Sequence, residues 1–137
     1  MSRNITHIYL PLEETNTMPQ LKDYNETTGI VIDYHDLTRL YELIARLNAW
    51  AEARNITAEG GATSYTQIPK LIEEVYEFRD ATTEEEAKLE FGDILVVCIQ
   101  IARLRGLDMV ECLDLAYNKI KTRTGRLENG VFIKDAS

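Results

Sequence analysis

Five acidic side chains near the middle of the sequence have the spacing of a metal-binding cluster. Glu73, Glu74 and Glu77 lie in one short segment, and Glu90 and Asp93 lie in the next. Residues three or four apart share one face of an α-helix, so each segment can direct two carboxylates to one place. Carboxylate oxygens are the ligands that Mg²⁺ and Mn²⁺ prefer. The spacing predicts a site for Mg²⁺, with Mn²⁺ able to substitute, whose ligands are Glu74, Glu77, Glu90 and Asp93.

The second of these acidic pairs stands beside an apolar run. Asp93 directly precedes the segment Ile94–Ala102, so we expect its side chain to be partly buried. A buried carboxylate is costly unless it is paired or binds a metal. Gly92 lies between the two acids and costs about 1 kcal/mol inside a helix, which suggests that something approaches closely there. A solvated acidic helix face remains the alternative for Glu73, Glu74 and Glu77 taken alone.

Helical patterns surround the acids. Apolar residues from Leu37 to Ala51 recur at helical spacing and predict a first helix that ends near Asn55. Ser64 or Thr66 is expected to cap the second helix, and Thr83 is expected to cap the third, which ends at Gly106. A fourth helix is predicted to begin after Asp108, with Gly125 as its stop.

The connections between these helices are short. The turn at residues 80–82 is expected to make the second and third helices antiparallel neighbours, so that their acidic pairs face each other. The predicted fold is therefore all-α: a four-helix antiparallel bundle over residues 33–137. Residues 1–32 are predicted to form an irregular N-terminal arm. Asn129–Gly130 indicates a turn in a short C-terminal tail, where Val131–Ile133 forms a short strand or docks on the bundle.

The bulk composition limits the partners. The formal net charge is −8, which argues against a nucleic-acid polymer but not against a small phosphate ligand bridged by cations. No apolar stretch reaches the roughly 18 residues of a membrane span. Met1–Leu12 lacks a signal-peptide core, so a cytoplasmic location is expected. Cys98 and Cys112 are predicted to be reduced, buried thiols.

The acidic residues and their flanks resemble those of MazG-like nucleoside triphosphate pyrophosphohydrolases. The similarity rests on Glu73-Glu74-x-x-Glu77 followed by Glu90-x-x-Asp93. The flanking segments 70–77, 90–96 and 116–123 also agree, and the resemblance spans about Leu37 to Lys134. The combination of motifs is fairly specific, whereas either acidic pair alone would be weak.

This resemblance implies a function and further site residues. It implies an all-α enzyme that uses Mg²⁺, held by the four carboxylates, to split the bond between the α- and β-phosphates of a nucleoside triphosphate. The products are a nucleoside monophosphate and pyrophosphate. The third predicted helix is apolar on nearly every side and needs neighbours on more than one side, which predicts a homodimer or a dimer of dimers. The resemblance also implies active sites near subunit interfaces. Glu73 is the candidate catalytic residue, as a further ligand or as the group that orients the attacking water. The candidate substrate-binding residues are Lys70, Asn118, Lys119, Lys121, Arg123 and Trp50.

Five of the six substrate-binding candidates also have a structural interpretation. Lys119, Lys121 and Arg123 can simply complement the dipole at a helix C-terminus. Lys70 can pair with Glu74 instead of a phosphate, and Trp50 can belong to the core instead of stacking on a base.

Two other functions remain open from the sequence. One is a di-iron or di-manganese carboxylate bundle, which the absence of Glu-x-x-His pairs disfavours. The other is a non-enzymatic helical interaction module whose acids are only surface groups. A specific, saturable Mg²⁺ site would distinguish an enzyme from that module.

Overall fold

The computed structural model describes residues 34–136, which form four α-helices and one β-hairpin. The elements are α1 (Tyr34–Ala53), α2 (Ser64–Asp80), α3 (Glu84–Arg105), α4 (Met109–Ile120), β1 (Gly125–Glu128) and β2 (Val131–Lys134). The prediction of an all-α fold with four helices is confirmed. The predicted N-terminal arm, residues 1–32, lies outside the described residues. By its backbone contacts the chain divides after Trp50, so most of α1 belongs to a different compact unit from the later elements.

Helix α1 carries ion pairs on its exposed side. The Arg46 guanidinium donates a hydrogen bond of 2.7 Å to Glu42, one helical turn earlier. The helix ends at Ala53, two residues before the predicted end at Asn55. The reason is local: Asn55 adopts a left-handed backbone conformation with φ of 56°, which a continuing helix does not allow.

Helices α2 and α3 pack against each other as an antiparallel hairpin. The N-cap of α2 is Thr63, so the expectation of Ser64 or Thr66 was wrong. Thr66 is instead the reciprocal partner: its hydroxyl accepts from the Thr63 backbone N–H at 2.9 Å, and the Thr63 hydroxyl accepts from the Thr66 N–H at 3.1 Å. This capping box satisfies two N–H groups that have no partner inside the helix.

The turn between α2 and α3 is fixed by its own polar groups. Thr83 caps α3 as predicted, accepting from the Glu86 N–H at 3.1 Å. The Glu86 carboxylate accepts from the backbone N–H of Thr82 at 2.8 Å and from its hydroxyl at 2.9 Å. These hydrogen bonds lower the pKa of Glu86, the backbone one most. Below the turn, the rings of Phe78 and Phe91 meet edge to face with centroids 5.5 Å apart.

The C-terminal end of α3 is tied to the loop that precedes α2. Gly106 ends the helix in a left-handed conformation with φ of 68°, as predicted. Arg103 donates to the backbone carbonyl of Ile56 and, at 2.8 Å, to the side chain of the buried Gln100. The guanidinium therefore joins two segments that are far apart in sequence.

Helix α4 and the hairpin extend from this core. Asp108 caps α4 as predicted, accepting from the N–H groups of Val110 and Glu111 at 2.9 and 3.1 Å. The helix ends at Ile120, before the stop expected at Gly125, which instead begins β1. The predicted turn at Asn129–Gly130 is confirmed, and both residues have positive φ, as tight hairpin turns require. Every residue from Arg105 to Ala136 is exposed.

The buried core is small for a chain in which 45% of the residues are hydrophobic. Among the described residues, the buried apolar side chains are Ala51, Val97 and Ala102. An apolar groove of about 510 Å³ opens between α2, α3 and α4, and both cysteines line it. Cys98 and Cys112 are free but exposed, so the prediction that they are buried was wrong, because nothing in the described chain covers this groove. No helix in residues 34–136 is long and apolar enough to cross a membrane.

Candidate metal centre

Three carboxylates from the α2–α3 hairpin converge on one point. Glu74 of α2 and Glu90 and Asp93 of α3 each direct an oxygen into a group in which all three atoms lie within 4.8 Å of one another. The antiparallel packing produces this arrangement, because it places the acidic pair of α3 opposite that of α2. Asp93 and Glu90 are half-buried. The expectation of partial burial for Asp93 is therefore confirmed.

Glu74 is the most deeply placed of these acids. Its side chain is 6% exposed, and its Oε1 lies 2.7 Å from the Lys70 ammonium, which also contacts Glu73 at 3.0 Å. The hydrogen bond with Lys70 lowers the pKa of Glu74, and the two glutamates raise the pKa of Lys70. The other oxygen of Glu74, Oε2, is buried and has no hydrogen-bond partner among residues 34–136. An unsatisfied buried acceptor costs about 1–3 kcal/mol, so this oxygen is suited to a ligand.

Glu77 and Glu73 stand beside the three convergent acids. Hydrogen bonding to Glu74 raises the pKa of Glu77, and burial and the charges of Glu74, Glu90 and Glu73 act in the same direction. Glu73 is about half exposed and is held by its ion pair with Lys70. The structure thus gathers a surplus of negative charge that a single ammonium does not balance.

A divalent cation fits this donor set. All the donors are carboxylate oxygens, the ligand type of hard cations. Ligands of Mg²⁺ lie about 2.0–2.1 Å from the ion, so two oxygens of one ion are separated by up to about 4.2 Å. The 4.8 Å limit within which the oxygens of Glu74, Glu90 and Asp93 lie is close to that value. The buried Oε2 of Glu74, which accepts no hydrogen bond from the described residues, is a further observation that suits a cation.

A cavity of about 620 Å³ adjoins these acids. Its wall includes Glu73, Glu77 and Glu90, and it continues along α2 and α3 to the turn at Asp80 and Ala81. The same cavity is lined by Tyr76, which is not among the residues predicted for the site. Its position three residues after Glu73 places it on the same helix face and could have indicated this.

Four of the substrate-binding candidates lie close in sequence, on α4 and in the segment after it. Asn118 and Lys119 belong to the last turn of α4, and Lys121 follows as its C-cap. Arg123 lines a small polar cleft with Thr124 and Lys134, among others. Within residues 34–136, the four candidate side chains of this segment are exposed and form no hydrogen bond or ion pair. Unlike Lys70, they do not contact the carboxylates, and their proposed contacts with substrate stay predictions.

Trp50 lies on α1, and 44% of its surface is exposed. Its assignment as a base-stacking residue or a core residue stays a prediction. Gly92 has no neighbour within 4 Å of the position where a Cβ would stand, so in the described chain no protein atom accounts for the small residue.

Comparisons with known proteins agree with this chemistry. The model of the MazG nucleotide pyrophosphohydrolase domain matches residues 62–127, which include all five acids. A dATP/dGTP diphosphohydrolase of cyanophage S-2L is 33% identical over 91 residues, covering 65% of this chain and 81% of that protein. A solved structure of a cyanophage S-2L MazG-like pyrophosphohydrolase, bound to dGDP and three catalytic Mn²⁺ ions per active site, is similar with a TM-score of 0.59. It is 26% identical, and the match covers 71% of this chain and 93% of that one. The chain therefore belongs to the MazG-like family and is a nucleotide pyrophosphohydrolase that uses divalent metal.

Proposed function

We propose that this enzyme hydrolyses a nucleoside triphosphate between the α- and β-phosphates, with Mg²⁺ as its metal, and that purine deoxynucleotides are among its substrates. The convergence of the carboxylates of Glu74, Glu90 and Asp93 carries the proposal. The substrate class is suggested by the relative that acts on dATP and dGTP and by the neighbour that binds dGDP.

The residues of the hairpin have separate roles in this proposal. Glu74, Glu77, Glu90 and Asp93 hold the metal. A bound divalent cation neutralises charge on the phosphate oxygens and lowers the pKa of water. Glu73, exposed to the cavity, orients the attacking water and accepts its proton. Lys70 fixes the carboxylates of Glu73 and Glu74 through its two ion pairs, which leaves it as a positioning residue.

The outer phosphates need positive partners that the carboxylate cluster does not supply. Lys119, Lys121 and Arg123 are the proposed contacts for these phosphates, and Asn118 is the proposed contact for the sugar. Their exposure supports this assignment, because the described residues leave all four free to bind a ligand. Trp50 is retained as a proposed base contact.

Hydrolysis in ¹⁸O-labelled water tests the position of attack. We expect the label in the nucleoside monophosphate, with unlabelled pyrophosphate as the other product, when dGTP or dATP is the substrate and Mg²⁺ is present. Lys119→Met should raise KM without moving the label. Label in free inorganic phosphate, with a nucleoside diphosphate as co-product, would contradict the proposal. No turnover and no saturable Mg²⁺ binding would favour the interaction module.

We also propose that the chain forms a homodimer or a dimer of dimers. Helix α4 and the hairpin expose many large apolar side chains, among them Leu113 at 72% and Leu127 at 72%. Exposed apolar patches of this extent mark interaction surfaces in soluble proteins. Sedimentation at high micromolar concentration is expected to give a mass at least twice 15.7 kDa. A stable monomer at that concentration would refute this proposal.

A further inference from the structure

We infer that Tyr76 binds the nucleoside part of the substrate by stacking on its base, so that it favours nucleotides over inorganic polyphosphates. The inference rests on the proposed function, because it takes the phosphates of a nucleotide to lie at the carboxylate cluster. Tyr76 is not among the candidate site residues named from the sequence, and base stacking is an interaction that the acidic cluster does not provide.

The cavity beside the metal site has one apolar wall. Pro69, Ile72 and Tyr76 line it from α2 at spacings of three and four residues, so they form a continuous stripe on one helix face. Ile72 is 49% exposed and Tyr76 is 53% exposed. The cavity volume of about 620 Å³ lies in the range of small-molecule sites. Because Glu77 and Glu90 belong to the same cavity, a ligand there is continuous with the metal site.

The charges in the part of the cavity away from the metal site already have partners. Asp80 accepts two hydrogen bonds from Arg79, at 2.7 and 2.9 Å. Glu86 accepts from the backbone and hydroxyl of Thr82. Toward the α2–α3 turn, therefore, the cavity does not extend the cation site. Its remaining binding surface is the apolar stripe, which suits a planar ring better than a second metal ion.

The ring of Tyr76 is held in place on one side. The Arg79 guanidinium lies 4.7 Å from the ring centroid, and its bidentate pair with Asp80 fixes the guanidinium in turn. This cation–π contact uses one face of the ring. Only the opposite face is then available for a second aromatic ring. Stacking on an aromatic side chain is tolerant of base identity, so Tyr76 should favour nucleotides over inorganic polyphosphate rather than select one base.

Binding measurements with two probes test this role. Calorimetric titration with Mn²⁺ present would give the Kd for dGDP and for inorganic pyrophosphate. Tyr76→Leu is expected to weaken dGDP binding at least about fivefold, as loss of base stacking does, with pyrophosphate binding unchanged. Tyr76→Phe keeps the ring and should bind dGDP like the wild type. Tyr65→Leu is the matched control, since Tyr65 is 76% exposed on the same helix and lies outside the cavity wall.

Turnover separates a failure of this inference from a failure of the proposed function. With dGTP, Tyr76→Leu should raise KM while kcat changes little. Unchanged dGDP binding in Tyr76→Leu, or equal weakening of dGDP and pyrophosphate, would overturn the role of Tyr76 while leaving the enzyme assignment intact. A wild-type protein that binds dGDP but hydrolyses no nucleotide would refute the proposed function, and the comparison of Tyr76 variants would still decide the binding role. Failure of the wild type to bind dGDP would overturn the inference itself.

Discussion

Replacing Asp93 by Asn is expected to lower kcat by about 100-fold or more. Mutating residues that only support metal ligands already lowers activity by about 10- to 100-fold, and Asp93 is proposed as a ligand itself. The amide removes one of the three negatively charged oxygens that converge in the cluster. It is a weaker ligand for a hard cation, yet it keeps the size of the side chain, so the fold should survive. Pyrophosphate release and Mn²⁺ titration would measure the loss, and circular dichroism would verify the helices.

Asp114→Asn is the control for this experiment. Asp114 lies on the exposed surface of α4, outside the acidic cluster, and its replacement changes the net charge by the same amount. Activity near the wild-type level is expected for the control. Full activity in Asp93→Asn, with the metal affinity preserved, would mean that the divalent cation is held elsewhere.

The substitution Lys70→Met is expected to lower the free energy of unfolding of the metal-free protein, which is the second large effect. Loss of the ammonium leaves the buried Glu74 without its ion-pair partner. Breaking a buried pair costs about 3–5 kcal/mol, and the half-exposed position of Lys70 reduces the expected loss to about 1–2 kcal/mol. Denaturant unfolding in the presence of a chelator would measure it. Addition of Mg²⁺ or Mn²⁺ should restore part of the stability, because a cation replaces the missing charge.

The pH dependence of this variant has a definite sign. Lys70 lowers the pKa of Glu74 in the folded wild type. That contribution to stability is present above the unfolded pKa of the carboxyl and is lost as the pH falls through the lower folded pKa. In Lys70→Met that contribution is gone; burial then raises the pKa of Glu74, and the contact with Glu77, which lowers it, remains. The difference in stability should therefore be largest near neutral pH and shrink in acid.

A surface ion pair provides the control for Lys70→Met. Lys88 contacts Glu85 at 3.2 Å, and the two side chains are 70% and 86% exposed. Exposed pairs contribute little to stability, so Lys88→Met should unfold like the wild type at every pH. Equal losses in both lysine variants would show that the burial of Glu74 is not what makes Lys70 important.

The acidic cluster could be predicted from the sequence because helical spacing alone places its members. Glu90 and Asp93 share a face by their separation of three residues, and the short turn after Asp80 makes α2 and α3 antiparallel. The caps at Thr83 and Asp108 followed from the same local rules. These features depend on residues a few positions apart in the sequence, so a sequence pattern is enough to predict them.

Burial was harder to predict, because it depends on packing between segments. Partial burial was predicted for Asp93 and is confirmed, whereas the deeper burial of Glu74 was not predicted. A stripe of Leu71, Glu74 and Phe78 would have indicated this, since the three residues share one face of α2. The two cysteines were predicted to be buried from their apolar context. Their exposure reflects an open groove, which no local pattern reveals.

The β-hairpin at the end of the chain has only two strands, β1 and β2, paired from Gly125–Lys134 to Glu128–Val131. A two-stranded sheet is marginal in water unless it packs on something, and both of its outer edges present unpaired backbone groups. Arg126 and Glu128, joined at 2.7 Å on one strand, place charge where a foreign strand would pair. Charged side chains on an edge strand oppose pairing with a foreign strand. Since salt screens exposed charges, we expect the protein to aggregate more readily at high salt.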